Sequence, residues 1–136
     1  MKKYLVLLLA IVLFTGCSKK STNSNPYSNS LQLGTGINAT SLFDLTGVGT
    51  TFYANTTIYF RLESADDQGG SSITIEIDNS DGSVYKSFTY TNDQSYGHIF
   101  LSYFLIPDPG KYTAKGIIVN GNKTVASTSF TIVASR

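Results

Sequence analysis

Ile73, Ile75 and Ile77 alternate with Thr74, Glu76 and Asp78. A two-residue apolar period belongs to a strand with one buried face, because successive side chains point to opposite sides of a pleated backbone. Ile58, Phe60 and Leu62 alternate in the same way with Tyr59, Arg61 and Glu63. Nothing from Cys17 onwards repeats with helical period. Turn residues separate the strand-like runs. Asn79-Ser80-Asp81-Gly82 predicts a hairpin between the isoleucine strand and Val84–Thr91. Asn120-Gly121-Asn122 predicts a second hairpin, joining Lys111–Val119 to Lys123–Val133, because Asn and Gly tolerate the positive φ of a tight turn. His98 to Ile106 is apolar on both faces, which predicts a central strand, and Pro107-Asp108-Pro109-Gly110 ends it. Leu31-Gln32-Leu33 and Leu42-Phe43-Asp44-Leu45 read as a broken first strand. Six or seven strands at this spacing predict an all-β, antiparallel sandwich of about seven strands.

The segment before these strands is of another kind. Lys2 and Lys3 precede an aliphatic run of eleven residues, Tyr4 to Phe14, and Thr15-Gly16-Cys17 follow. A bilayer-spanning helix needs about twenty apolar residues. The run is too short for that and has the parts of a secretory signal: a positive start, an apolar middle and small residues at a cleavage point. Phe14-Thr15-Gly16-Cys17 resembles the lipobox of bacterial lipoproteins. The resemblance implies cleavage before Cys17 and acylation of that cysteine, which is the chain's sole cysteine. Residue 18 is Ser, and no acidic cluster follows. By resemblance to lipoprotein sorting, this implies an outer-membrane anchor, facing the periplasm before the cell surface. Residues 1–16 are thus expected to be signal peptide, 17–30 the lipidated cysteine and a flexible linker, and 31–136 the folded domain. Ser18 to Ser30 is polar apart from Tyr27 and Pro26, and a coil of that length spans roughly 20 Å.

Asp108-Pro109-Gly110-Lys111-Tyr112-Thr113-Ala114 resembles the tyrosine corner of immunoglobulin-like domains, in which a Tyr at the start of the sixth strand bonds back to the preceding loop. Ala114 stands where antibody domains have a cysteine, and the chain has no Trp. The resemblance is therefore to the disulfide-free immunoglobulin-like modules of bacterial envelope proteins, over about residues 31–136.

Charge narrows the partners. Removing residues 1–16 takes two of the ten bases and leaves eight against nine acids, a net −1; from Leu31 the balance is six against nine, or −3. Nucleic-acid binding needs a basic patch, and none is present. The glycine spacing of Gly34-Thr35-Gly36-Ile37-Asn38-Ala39 lacks the following helix that a dinucleotide turn requires. His98 is the single histidine. Asp93 and Ser95 lie near it in sequence, but loop neighbours seldom reach triad geometry, and a structural or exposed histidine is the expected role.

If the strands run up and down in order, the loops Ser64–Ser71, Asn92–Gly97 and Asn120–Asn122 gather at one end. Asp66, Asp67 and Asp93 would then meet there, with Gln68, Asn92 and Asn120 as oxygen donors and Tyr96 beside them. Calcium takes six to eight oxygens from such loops, yet the spacing matches no calcium motif, and solvated acids are the ordinary alternative. No metal or cofactor is expected. Tyr59 is out of phase with Ile58, Phe60 and Leu62, so its ring is expected on the outer face. Tyrosine supplies rigid contact area at small entropic cost. Candidate binding residues are therefore Tyr59, Asp66, Asp67, Asp93, Tyr96 and Asn120, with Cys17 as the lipidation site. The expected function is a lipid-anchored, non-catalytic envelope protein that binds an envelope protein or a glycan. The alternative is an inhibitor of a protease or lysozyme that acts through a protruding Ser64–Ser71 loop.

Overall fold

The computed structural model describes residues 24–92 and 97–135. The expected signal peptide, Cys17, Asp93 and Tyr96 lie outside the described residues. In the first half of the chain the strands are β1 (Ser30–Gly34), β2 (Gly36–Ile37), β3 (Leu45–Thr46), β4 (Thr51–Tyr53) and β5 (Thr57–Glu63). The second half supplies β6 (Ile73–Asn79), β7 (Val84–Tyr90), β8 (Ile99–Leu105), β9 (Gly110–Ile118) and β10 (Lys123–Val133). One sheet has the order β1-β5-β8 and the other β4-β10-β9-β6-β7, while β2 and β3 form a small ladder of their own. All pairings are antiparallel except β4 with β10. The chain changes sheet between β5 and β6, between β7 and β8, and between β8 and β9. This is an all-β sandwich of mostly antiparallel sheets.

The alternating residues make the core. Ile58, Phe60, Leu62, Ile73, Ile75 and Ile77 are fully buried. Phe60 lies among the rings of Tyr90, Phe100 and Phe104, with centroids 5.2, 6.1 and 6.3 Å away. Phe104 continues the stack to Phe88 and Phe130, and Phe130 to Tyr112 and Phe52. Both predicted hairpins form. In the second, the turn takes Gly121 at φ 82° and Asn122 at φ 49°, the left-handed region where Gly and Asn cost least.

Tyr112 makes the corner that its sequence context resembles. Its hydroxyl donates to the Asp108 carbonyl at 3.0 Å, four residues back, while its ring stays in the core. Tyr85 donates to the Asp108 carboxylate from the other side, a bond that pushes the Tyr85 hydroxyl up to about 12. Tyr112→Phe keeps the packing and loses one hydrogen bond. A loss of about 1 kcal/mol is expected in urea denaturation.

Two strand assignments differ from the sequence reading. The first strand is broken, but of Leu42–Leu45 only Leu45 is in a strand, opening β3, and β4 follows as a further piece. Leu42 and Phe43 are 73% and 51% exposed in a turn closed by Asp44 N–H to Ser41 O at 3.0 Å. Strand β8 is an edge strand, not a central one. Its Phe100 and Phe104 fill the core, while the apolar residues of its other face lie on the outside of the domain.

Candidate functional site

The three loops expected at one end do meet there in their described parts. Ser64 N–H donates to His98 O at 2.9 Å and Gln68 N–H to Gly97 O at 2.8 Å. Asn120 N–H donates to Ser71 Oγ at 2.9 Å. Asp66 is exposed and pairs with Lys123 on β10, whose ammonium holds its carboxyl below the usual carboxylate range. Asp67 is exposed too, and its Oδ1 accepts from Gly69 N–H at 2.7 Å, shaping the turn. Asn120 is exposed in the turn after β9. Among the described residues, no group of three His, Cys, Asp or Glu side chains could hold a metal.

Polar side chains hold this end from within. Gln68 is buried, and its Nε2 donates to His98 O at 2.9 Å. Asn92 is buried as well, and among the described residues neither its Oδ1 nor its Nδ2 finds a hydrogen-bond partner. Hence two of the three amides named as oxygen donors from sequence, Gln68 and Asn92, are turned inward, while Asn120 is not. His98 is committed to structure: its Nδ1 lies 2.9 Å from Ser64 O, and its ring stacks on Tyr27 with centroids 4.1 Å apart and planes 9° from parallel.

That stacking belongs to a larger contact. Residues 25–29, expected within the flexible linker, run along the loop end. Ser28 N–H donates to Glu63 Oε1 at 2.8 Å, Ala65 N–H to Asn29 Oδ1 at 2.8 Å, and Asn25 Nδ2 to Ala65 O. Local polarity made the segment resemble a tether, whereas its asparagines find backbone partners 36 and 40 residues away. The Ser28 amide bond and then Arg61 (Nη1 2.6 Å from Oε2) hold the Glu63 carboxyl below its ordinary range, against its partial burial. A lowered folded-state pKa contributes stability above the ordinary carboxylate value, lost as pH falls through the lowered one. Acidification below the usual glutamate range is therefore expected to speed Ser28 amide exchange before global unfolding, as read by hydrogen exchange against pH.

Away from this end, the outer face of the β1-β5-β8 sheet carries aromatic surface. Tyr59 points outward, as its phase requires, and pairs with Tyr103 across β5 and β8, with ring centroids 5.9 Å apart. Tyr103 is 60% exposed, and Tyr53, on β4 of the other sheet, is 45% exposed. An open groove of about 450 Å³ runs between Tyr53 and Tyr59, and Thr35, Thr51, Thr56 and Thr57 line it with hydroxyls. No protein-family model and no curated protein matches the chain. Tyr59 is therefore on a different surface from Asp66, Asp67 and Asn120. Sequence reasoning singled out Tyr59 without Tyr103, because the pairing of β5 with β8 that joins them is not a local signal. Tyr85, Tyr90 and Tyr112 pack partly or wholly inward instead.

Proposed function

We propose that this protein is a lipid-anchored, non-catalytic component of a bacterial cell envelope, whose immunoglobulin-like domain binds an envelope protein or a glycan through its outer tyrosine face. The single observation that carries the reading is the placement of the chain entry relative to that face. Residues 25–29 join the domain at the loop end, beside Glu63 and His98. Tyr59 lies on the same outer face of β5 as Glu63, four residues farther from the loop end, and Tyr53 and Tyr103 lie beside it. With lipid on Cys17, the seven residues up to Asn25 reach at most about 25 Å. The loops then lie nearer the membrane than the tyrosines, which stay open to a partner from the side. Two or more acyl chains give a stable anchor; Ser18 favours the outer membrane, with the domain in the periplasm. An acidic domain does not favour nucleic acid.

The commitment of His98 to Tyr27 and Ser64 supports a non-catalytic role. The inhibitor alternative draws no support from the loop that suggested it, since Gln68 and Ser71 are buried and pin Ser64–Ser71 against its neighbours.

Two measurements test this reading. Cys17→Ala is expected to abolish labelling by a fatty-acid analogue; unchanged labelling overturns the anchor. In-cell crosslinking of the tagged chain, followed by mass spectrometry, is expected to capture one envelope partner. Joint Tyr53→Ala, Tyr59→Ala and Tyr103→Ala should reduce that capture about tenfold or more, as for loss of aromatic anchor residues, with melting temperature nearly kept. Undiminished capture would remove the tyrosine face from the proposal.

A further inference from the structure

Strand β8 is an edge of its sheet, seven residues long, paired to β5 in unbroken register. It contains no charged residue and no proline. Folded proteins guard such edges with charge, proline, bulges or very short strands. The other edges here are guarded. Strand β4 has three residues. On β1, Leu31 O accepts from Thr128 Oγ1 and Leu33 O from Gly49 N–H. Strand β7 carries Lys86 and a bulge opposite Ile77 and Asp78.

The direction of the free groups on β8 follows from their neighbours. Ser64 N–H and Asn55 N–H, at either end of β5, reach His98 O and Ile106 O, so even-numbered residues of this strand turn towards β5. Odd-numbered ones turn away, and Tyr103 O accordingly accepts from Tyr90 Oη, 2.6 Å across the gap between the sheets. The N–H groups of Leu101, Tyr103 and Leu105 therefore point outward, and among the described residues none has a hydrogen-bond partner. Beside them lies an open groove of about 460 Å³ between β7 and β8, lined by Phe88, Tyr90 and Phe104. The Lys86 ammonium stands 5.0 Å from the centroid of the Phe88 ring in that lining. It is not part of the lining, which holds no charged residue, but stands over the Phe88 wall of the groove.

We infer that the free edge of β8 is a strand-addition site for an extended peptide segment of a partner protein, apolar at alternate positions and bearing an acid opposite Lys86. Only an extended chain offers carbonyls and amides at the spacing of the outward groups, and alternate side chains of an added strand fall into a groove of this kind. Charge complementarity selects the occupant: an uncharged edge admits apolar residues, and Lys86 attracts a carboxylate and repels a basic segment. This rests on the reading of the domain as a binding module and names the mode of binding.

The test pans a library of random extended peptides against the full chain in detergent, with the Leu101→Pro chain as counter-target. Proline at an edge position whose N–H faces outward removes a donor while sparing the sheet. The expected consensus alternates apolar residues and contains an acid. The selected peptide, synthesised, should slow exchange of the Leu101, Tyr103 and Leu105 amides at least about tenfold at saturation and bind Leu101→Pro at least about tenfold more weakly, with Lys86→Glu also weakening it. Should Leu101→Pro not fold, Leu105→Lys serves as counter-target, because that side chain is exposed. Equal enrichment on the counter-target, protection of other amides, or no enrichment overturns the inference. Protection of the same amides by rising protein concentration without peptide assigns the edge to a second copy, which also overturns it. If the tyrosine replacements lose the in-cell partner while Leu101→Pro keeps it, the edge inference falls and the binding-module reading stands.

Discussion

Phe60→Ala is expected to cost about 3–5 kcal/mol, within the range for emptying a fully buried aromatic site. For a domain of this size each kcal/mol is worth roughly 4–8 °C, so the melting temperature should fall by roughly 12–40 °C. Total stability of a small domain is about 5–15 kcal/mol, and the variant therefore stands close to unfolding. The reason is position. Phe60 has no exposed surface and is the ring at which β5, β7 and β8 meet, through Tyr90, Phe100 and Phe104. Those neighbours sit on strands fixed by backbone pairing, so they cannot close the space. Phe60→Leu, which keeps most of the volume, is the control and should cost clearly less. Calorimetry of the full chain decides the matter: a shift below about 5 °C for Phe60→Ala would mean that the cluster relaxes and that Phe60 is not its centre.

Phe60 was legible in the sequence because its signal is local. Alternation at Ile58, Phe60 and Leu62 already assigns the inner face of β5, and the same phase puts Tyr59 outside. Tyr112 was legible for a similar reason, since its partner is only four residues back. The edge position of β8 was not. Ile99 to Leu105 is apolar on both faces, which is the pattern of a strand covered on both sides, and it is an edge only because no further strand lies beside it among the described residues. Leu42-Phe43 misled in the opposite direction: an apolar run lies in an exposed turn, while a further piece of the first strand is the Thr- and Tyr-containing β4. The loop end was partly legible. Strand order gathers the loops, but nothing in a polar loop tells that Gln68 and Asn92 turn inward while Asp66 and Asp67 stay in water. Asn25 and Asn29 belong to the same class, because their hydrogen bonds cross to a loop far along the chain.

Gly116 is a mid-strand glycine whose role emerges only from the packing of the two sheets. It lies in β9, between Ile75 of β6 and Ala126 of β10, and a Cβ there would overlap Cδ1 of Leu62 and stand 3.1 and 3.3 Å from its Cδ2 and Cγ. Leu62 is fully buried, so its methyls have no solvent to swing into. Gly116→Ala is expected to cost about 1–3 kcal/mol as an overpacked core, and Gly116→Val more. Leu62→Ala alone should cost about 2–5 kcal/mol, the usual loss for a buried leucine. Together, Gly116→Val and Leu62→Ala should be less damaging than their sum, with a coupling of about 0.5–3 kcal/mol, because the added methyls occupy the space the leucine leaves. Urea denaturation of the four proteins reads that coupling directly, and additive losses would show that the sheets part instead of clashing. The same pair bears on the binding face. Leu62 and Tyr59 belong to one strand, and a sheet pushed outward at Leu62 displaces the partner of Tyr103. Gly116→Val is therefore expected to weaken captured binding as well as stability, and the double variant to lose less of both than the two single losses added together.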